Sequence, residues 1–225
     1  MLDAAVWMDR YTRSMRALFG DRVRMIGLQG SYGRGEADED SDIDPVLILD
    51  TWTQKDSAVY RAALDQYPER AMICGFAGGA GELAAWDRAD LFQFVRDTTS
   101  WYGSLESLTT PTDASDAARA AHRRACDLYH ALVHHSVHGD NPALLPQLLK
   151  GAVFVLQARF FARTGVYLRR RQDLEAAVEG AEKALLRSAR LCRHRAASQD
   201  EEREWSPVLL AWLSDVIRQG EATAD

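Results

Sequence analysis

Five acidic side chains, Asp38, Glu39, Asp40, Asp42 and Asp44, fall within seven residues just ahead of the apolar run Val46-Leu47-Ile48-Leu49. Carboxylates this close repel one another, so a chain keeps them either in water or around a cation. A strand alternates faces at every residue, so in "DIDPVLILD" Asp42 and Asp44 project from the same side. Two neighbouring oxygen donors of this kind suit a hard divalent ion such as Mg²⁺. Upstream, Gly30-Ser31 closes the strand-like run "RVRMIGLQG". A sharp turn there offers backbone N–H groups to a phosphate, and a helix opening at the turn adds partial positive charge. Arg34 places a cation in the same stretch. A phosphate cradle followed by metal-binding carboxylates is what a nucleoside triphosphate with Mg²⁺ requires. Asp38, Glu39 and Asp40 need no chemistry and read as a solvated acidic loop.

The elements that must position these residues are legible in outline. Residues 3–19 repeat Trp7, Tyr11, Met15 and Leu18 at helical spacing, with Gly20 in the place of a C-cap. Strands follow at 22–30 and 42–50, a helix at 56–67 with Asp56 as its expected N-cap, a third strand in "AMICGF" (71–76) and a fourth in "DLFQFVRD" (90–97). Pro45 removes a ladder donor and points to an edge or a bulge. Beyond the linker "TTPTDASD" the pattern becomes helical, with segments expected at 116–139, 145–165, 172–198 and 206–220. The expectation is an α+β chain: a mixed-sheet domain over 1–110, then an all-α bundle over 111–225.

Composition excludes several classes. Among 225 residues, 47% are hydrophobic and 27% charged, which is ordinary globular usage. A net charge of −6 argues against nucleic acid as the main partner and suits a cationic one. Cys74, Cys126 and Cys192 are odd in number and far apart, so they read as reduced core residues of a cytoplasmic protein. The N-terminus lacks a signal-peptide centre, and no run reaches the ~18 apolar residues of a membrane span.

Taken together, "GSYGRGEADEDSDID" resembles the GSx10DxD signature of the nucleotidyltransferase superfamily that includes DNA polymerase β and kanamycin nucleotidyltransferase. The resemblance implies a nucleotidyltransferase-type mixed sheet with flanking helices and a helical C-terminal domain, with the active site in the cleft between. Asp42 and Asp44 match its metal-binding pair, and Gly30 and Ser31 its phosphate-gripping pair. It further implies transfer of a nucleoside monophosphate, AMP from ATP above all, to a hydroxyl, with two Mg²⁺ ions accompanying the nucleotide. The acceptor class is a small hydroxylated molecule, an aminoglycoside-like antibiotic included. Two alternatives stay open: an antitoxin-type enzyme that AMPylates protein, and a nucleotide-binding module without transfer activity.

The chain departs from the family pattern at its third carboxylate. "AMICGF" carries none; Glu82 and Asp97 are the nearest substitutes. Laying "CDLYHALVHH" on the first long helix of the kanamycin-type C-terminal domain puts His130 at the general base and His134 at a phosphate contact. Lys150 is a further candidate for phosphate. The same histidines, with His138, lie four apart and also read as interface residues or as a zinc pattern.

Overall fold

The computed structural model describes residues 2–139 and 141–221. The chain divides into two compact units, Met1–Asp87 with Phe94–Pro111, and Arg88–Gln93 with Thr112–Asp225.

In the first unit, helix α1 (Ala4–Phe19) is capped by Asp3, whose carboxylate accepts the N–H groups of Ala5 and Val6. Strand β1 (Val23–Gln29) runs into the short helix α2 (Gly30–Arg34), and β2 (Asp44–Leu49) returns antiparallel to β1. Helix α3 (Gln54–Leu64) opens with a capping box in which Thr53, not Asp56, is the cap; Asp56 is the reciprocal partner three residues on. Strand β3 (Phe76–Gly79) and helix α4 (Ala80–Ala84) follow, then helix α5 (Arg88–Asp97), whose residues 88–93 belong to the second unit, and β4 (Thr99–Tyr102). The sheet order is β3-β2-β1-β4, parallel only between β2 and β3. Trp7, Tyr11, Met15 and Phe19 of α1 bury against Ile26, Leu28, Leu47 and Leu49 on one sheet face. Each large apolar side chain so buried contributes about 1.5–3 kcal/mol.

Three expectations for this unit fail for physical reasons. The fourth strand, 90–97, is helix α5: Ala89 with Phe92 and Leu91 with Phe94 are helical pairs, and burial on both flanks mimics a strand. The third strand begins later than expected, at Phe76, and uses the glycines that were to end it. Pro45 lies neither at an edge nor at a bulge, because β2 is an inner strand. Instead, lacking an N–H, it interrupts the ladder between the isolated Ile43–Ile73 bridge and the Val46–Phe76 pair. Gly75 packs against this gap, where a Cβ would stand 1.9 Å from the Pro45 carbonyl oxygen.

The second unit is helical among its described residues: α6 (Ala114–His138), α7 (Leu144–Thr164), α8 (Arg171–Ala177), α9 (Gly180–Leu191) and α10 (Gln199–Glu221). The single helix expected over 172–198 is broken where Val178 and Glu179 become extended. Helix α10 starts before the expected 206, because Ser198 and Glu201 form a reciprocal N-terminal box that carries the helix through Pro207. Helix α7 is the one described helix long and apolar enough for a membrane span by length and composition alone. As expected it holds no unbroken run of that length, since Gln147, Lys150, Gln157 and Arg159 interrupt it, and 61% of its most apolar window is buried, as in a core helix. The three cysteines are free as expected, but only Cys192 is a core residue: Cys74 is exposed and Cys126 half-buried.

Candidate active site

The β1–β2 hairpin brings the two halves of the motif together. Its register pairs Gln29 with Asp44, the last residue of β1 with the first of β2. One residue later the chain leaves β1 through Gly30, whose φ of +66° turns it into α2. Asp44 lies against this turn so closely that a Cβ on Gly30 would stand 1.8 Å from Asp44 Oδ2. Only a glycine admits both the left-handed turn and the carboxylate over it. Asp42 is exposed, Ile43 buried and Asp44 half-buried, so the alternation read from the sequence puts both carboxylates on the open face.

The acidic loop between the motif halves is partly structural. Asp38 accepts the Ser41 hydroxyl at 2.7 Å while its own N–H donates to Ser41 Oγ at 2.9 Å, and Ser41 is buried. Asp38 therefore ties the turn that delivers Asp42, whereas Glu39 and Asp40 are exposed.

Arg34 is nearly buried; its Nε donates to Glu36 at 3.0 Å and its guanidinium lies 3.9 Å from Asp97. In this arrangement it braces α2 against the C-terminal end of α5. Asp97, weighed as a third carboxylate, is the buried partner in that brace, and Glu82 sits on α4 beside Gly79. Ser31 is the second residue of α2 and half-buried.

The remaining candidates belong to the helical unit. His130 and His134 are exposed on α6, their ring centroids 6.1 Å apart, and Lys150 is exposed on α7.

Two features escaped the sequence. Gln29 Nε2 donates to Thr98 Oγ1 at 2.7 Å and to the Phe94 carbonyl at 3.2 Å, anchoring the end of β1 beside Asp44. On the other side, Cys74 donates its N–H to the Ile43 carbonyl at 2.9 Å. One residue past the Ile43–Ile73 bridge, Asp44 and Cys74 therefore run side by side on the same sheet face. The side chain beside Asp44 on this strand is thus a cysteine and not a carboxylate. Among the described residues no three ligand-type side chains converge on one point.

A hard divalent ion fits the pair that is present. Asp42 and Asp44 supply oxygen donors, and the bare Gly30 leaves room for the Asp44 carboxylate over the turn.

Residues 8–80 match the family model of the nucleotidyltransferase domain, a span that contains both motif halves. No curated protein matches the chain in sequence. In fold, it is similar to the crystal structure of spectinomycin adenyltransferase AAD(9) from Enterococcus faecialis, solved with ATP and spectinomycin. The TM-score is 0.64 at 10% identity, covering 96% of this chain and 100% of that one. The expected fold class, a nucleotidyltransferase-type mixed sheet with a helical C-terminal region, is the one found.

Proposed function

We propose that this chain, whose residues 8–80 carry a nucleotidyltransferase domain, moves AMP from ATP to a hydroxyl of a small molecule with the help of Mg²⁺ held by Asp42 and Asp44. The observation that carries the reading is the seating of Asp44 on the Gly30 turn, which fuses the GS and DxD halves into one site. In the reaction the acceptor oxygen bonds to the α-phosphorus as the bond from that phosphorus to the pyrophosphate oxygen breaks, and the hydroxyl proton passes to a base. Bound metal supplies neutralisation of the charge on the phosphates. The chain's own part is positioning. The Gly30-Ser31 turn receives phosphate oxygens, Asp42 and Asp44 fix the cation, and the Arg34–Glu36–Asp97 brace holds α2 in place beneath them.

The fold likeness to an adenyltransferase solved with ATP and spectinomycin supports ATP as donor and a small hydroxylated acceptor. The net charge of −6 favours a cationic acceptor. One observation favours a second reading, a nucleotide-binding module without transfer: Cys74, not a carboxylate, stands beside Asp44.

Labelled ATP, Mg²⁺ and a panel of hydroxylated antibiotics separate the readings. Label appears on a small molecule with the wild-type chain, and Asp42→Asn or Asp44→Asn abolishes it. Nucleotide binding without any labelled product supports the module; label on protein supports an AMPylating enzyme. Near-normal turnover in either asparagine variant at saturating Mg²⁺ overturns the metal assignment.

A further inference from the structure

Helix α6 carries a metal-ligating type of side chain at every fourth position from its middle to its end: His122, Cys126, His130, His134 and His138. Residues four apart stand one turn above each other, and the series drifts around the helix by about 40° per step. It therefore winds from the packed flank into solvent. His122 and Cys126 are half-buried, with His122 Nε2 3.8 Å from Cys126 Sγ, while His130, His134 and His138 are exposed. The exposed rings approach each other towards the C-terminus, with centroids 6.1 Å apart for His130 and His134 and 4.9 Å apart for His134 and His138. Among the described residues, none of the three donates to or accepts from a protein group, whereas His135 on the adjacent flank lies 3.6 Å from Glu202.

We propose that His134 and His138 form a binding site for a borderline divalent cation of the Zn²⁺, Ni²⁺ or Cu²⁺ class. Each imidazole gives one nitrogen and water completes the shell. Neutral imidazole is a preferred donor for these ions, and two histidines one helical turn apart on one face can clasp a single ion. The site occupies the last turn of a 25-residue helix, whose carbonyl end is the negative end of the helix dipole and favours a cation. No third ligand-type side chain converges there among the described residues, so the site is open and its metal exchangeable. Mg²⁺, which demands oxygen donors, is rejected by this pair and accepted by Asp42 and Asp44, so the chain sorts two classes of cation by donor chemistry.

The test is calorimetric titration of the untagged chain with ZnCl₂ and with NiCl₂ in excess Mg²⁺. Wild type shows one saturable event that is lost in His134→Gln and in His138→Gln. It persists in His122→Gln and in Asp42→Asn, and the far-ultraviolet circular dichroism of every variant matches wild type. Affinity rises from Mn²⁺ through Co²⁺ and Ni²⁺ to Cu²⁺. Absence of saturable binding in wild type overturns the proposal, as does unchanged binding in either His134→Gln or His138→Gln. Loss of binding in His122→Gln moves the site to the His122–Cys126 pair and overturns it equally. Loss in Asp42→Asn alone assigns the event to the carboxylates.

Discussion

Gly30→Ala separates the backbone requirement of the motif from its chemistry. At φ +66° an alanine is in the left-handed region, which costs an L-residue about 1–2 kcal/mol. The added Cβ would also lie 1.8 Å from Asp44 Oδ2 and 2.9 Å from the Asp44 carboxyl carbon. Contacts to a real Cβ begin near 3 Å, so the carboxylate must retreat by roughly 1 Å, and a misplacement of that size costs on the order of 10²-fold in rate. Gly165→Ala is the control. Gly165 has φ +71°, caps α7, and has nothing within 4 Å of an added Cβ, so it carries the backbone cost without the collision. Urea unfolding should show both variants losing about 1–2 kcal/mol. Pyrophosphate release at saturating ATP and Mg²⁺ should show a kcat loss of about 10²-fold in Gly30→Ala alone. A Gly30→Ala enzyme with near wild-type kcat would mean that Asp44 does not act from the position it holds against the turn. Equal kcat losses in the two variants would mean that instability, not the collision, is responsible.

Two further outcomes follow from other parts of the chain. Asp56 is held well below the usual carboxylate range, first by its hydrogen bonds from Arg22 (2.7 and 3.1 Å) and then by the Thr53 hydroxyl. A depressed folded-state value stabilises at neutral pH and is lost on acidification below about pH 4, so the wild-type Tm should fall there more steeply than that of Asp56→Asn; parallel profiles refute the pairing. If His130 is the general base that the family resemblance implies, His130→Gln lowers kcat by about 10²–10⁴ with the fold intact, because an amide cannot take the proton; a loss of tenfold or less removes it from that role.

How far the sequence could be read depended on how local each feature is. The GS and DxD halves were legible because both lie in one hairpin, where the spacing that defines the motif also sets the register Gln29–Asp44. Helices α1 and α6 were legible from their periodicity, and their caps, Asp3 and Asp113, are short-range. Helix α5 was misread because a short helix buried on two flanks and a buried strand present the same apolar run. The late start of β3 and the existence of β4 depend on partners: β3 pairs with β2 only after Pro45 has interrupted the ladder, and β4 needs the far edge of β1.

The same dependence explains why the residue beside Asp44 stayed hidden. Which residue of the segment 71–76 stands beside Asp44 is set by where β3 docks on β2, and that is set by the Ile43–Ile73 bridge. Sliding the segment by one residue would turn Cys74 to the opposite face. Pro45 permits no such slide at low cost, because Gly75 fills the gap it leaves and any larger side chain there would strike the Pro45 carbonyl. The proline that looked like an edge marker is thus a register lock directly after Asp44. It fixes Cys74 beside Asp44, so which side chain neighbours that carboxylate is a property of strand register, and no pattern within "AMICGF" itself specifies it.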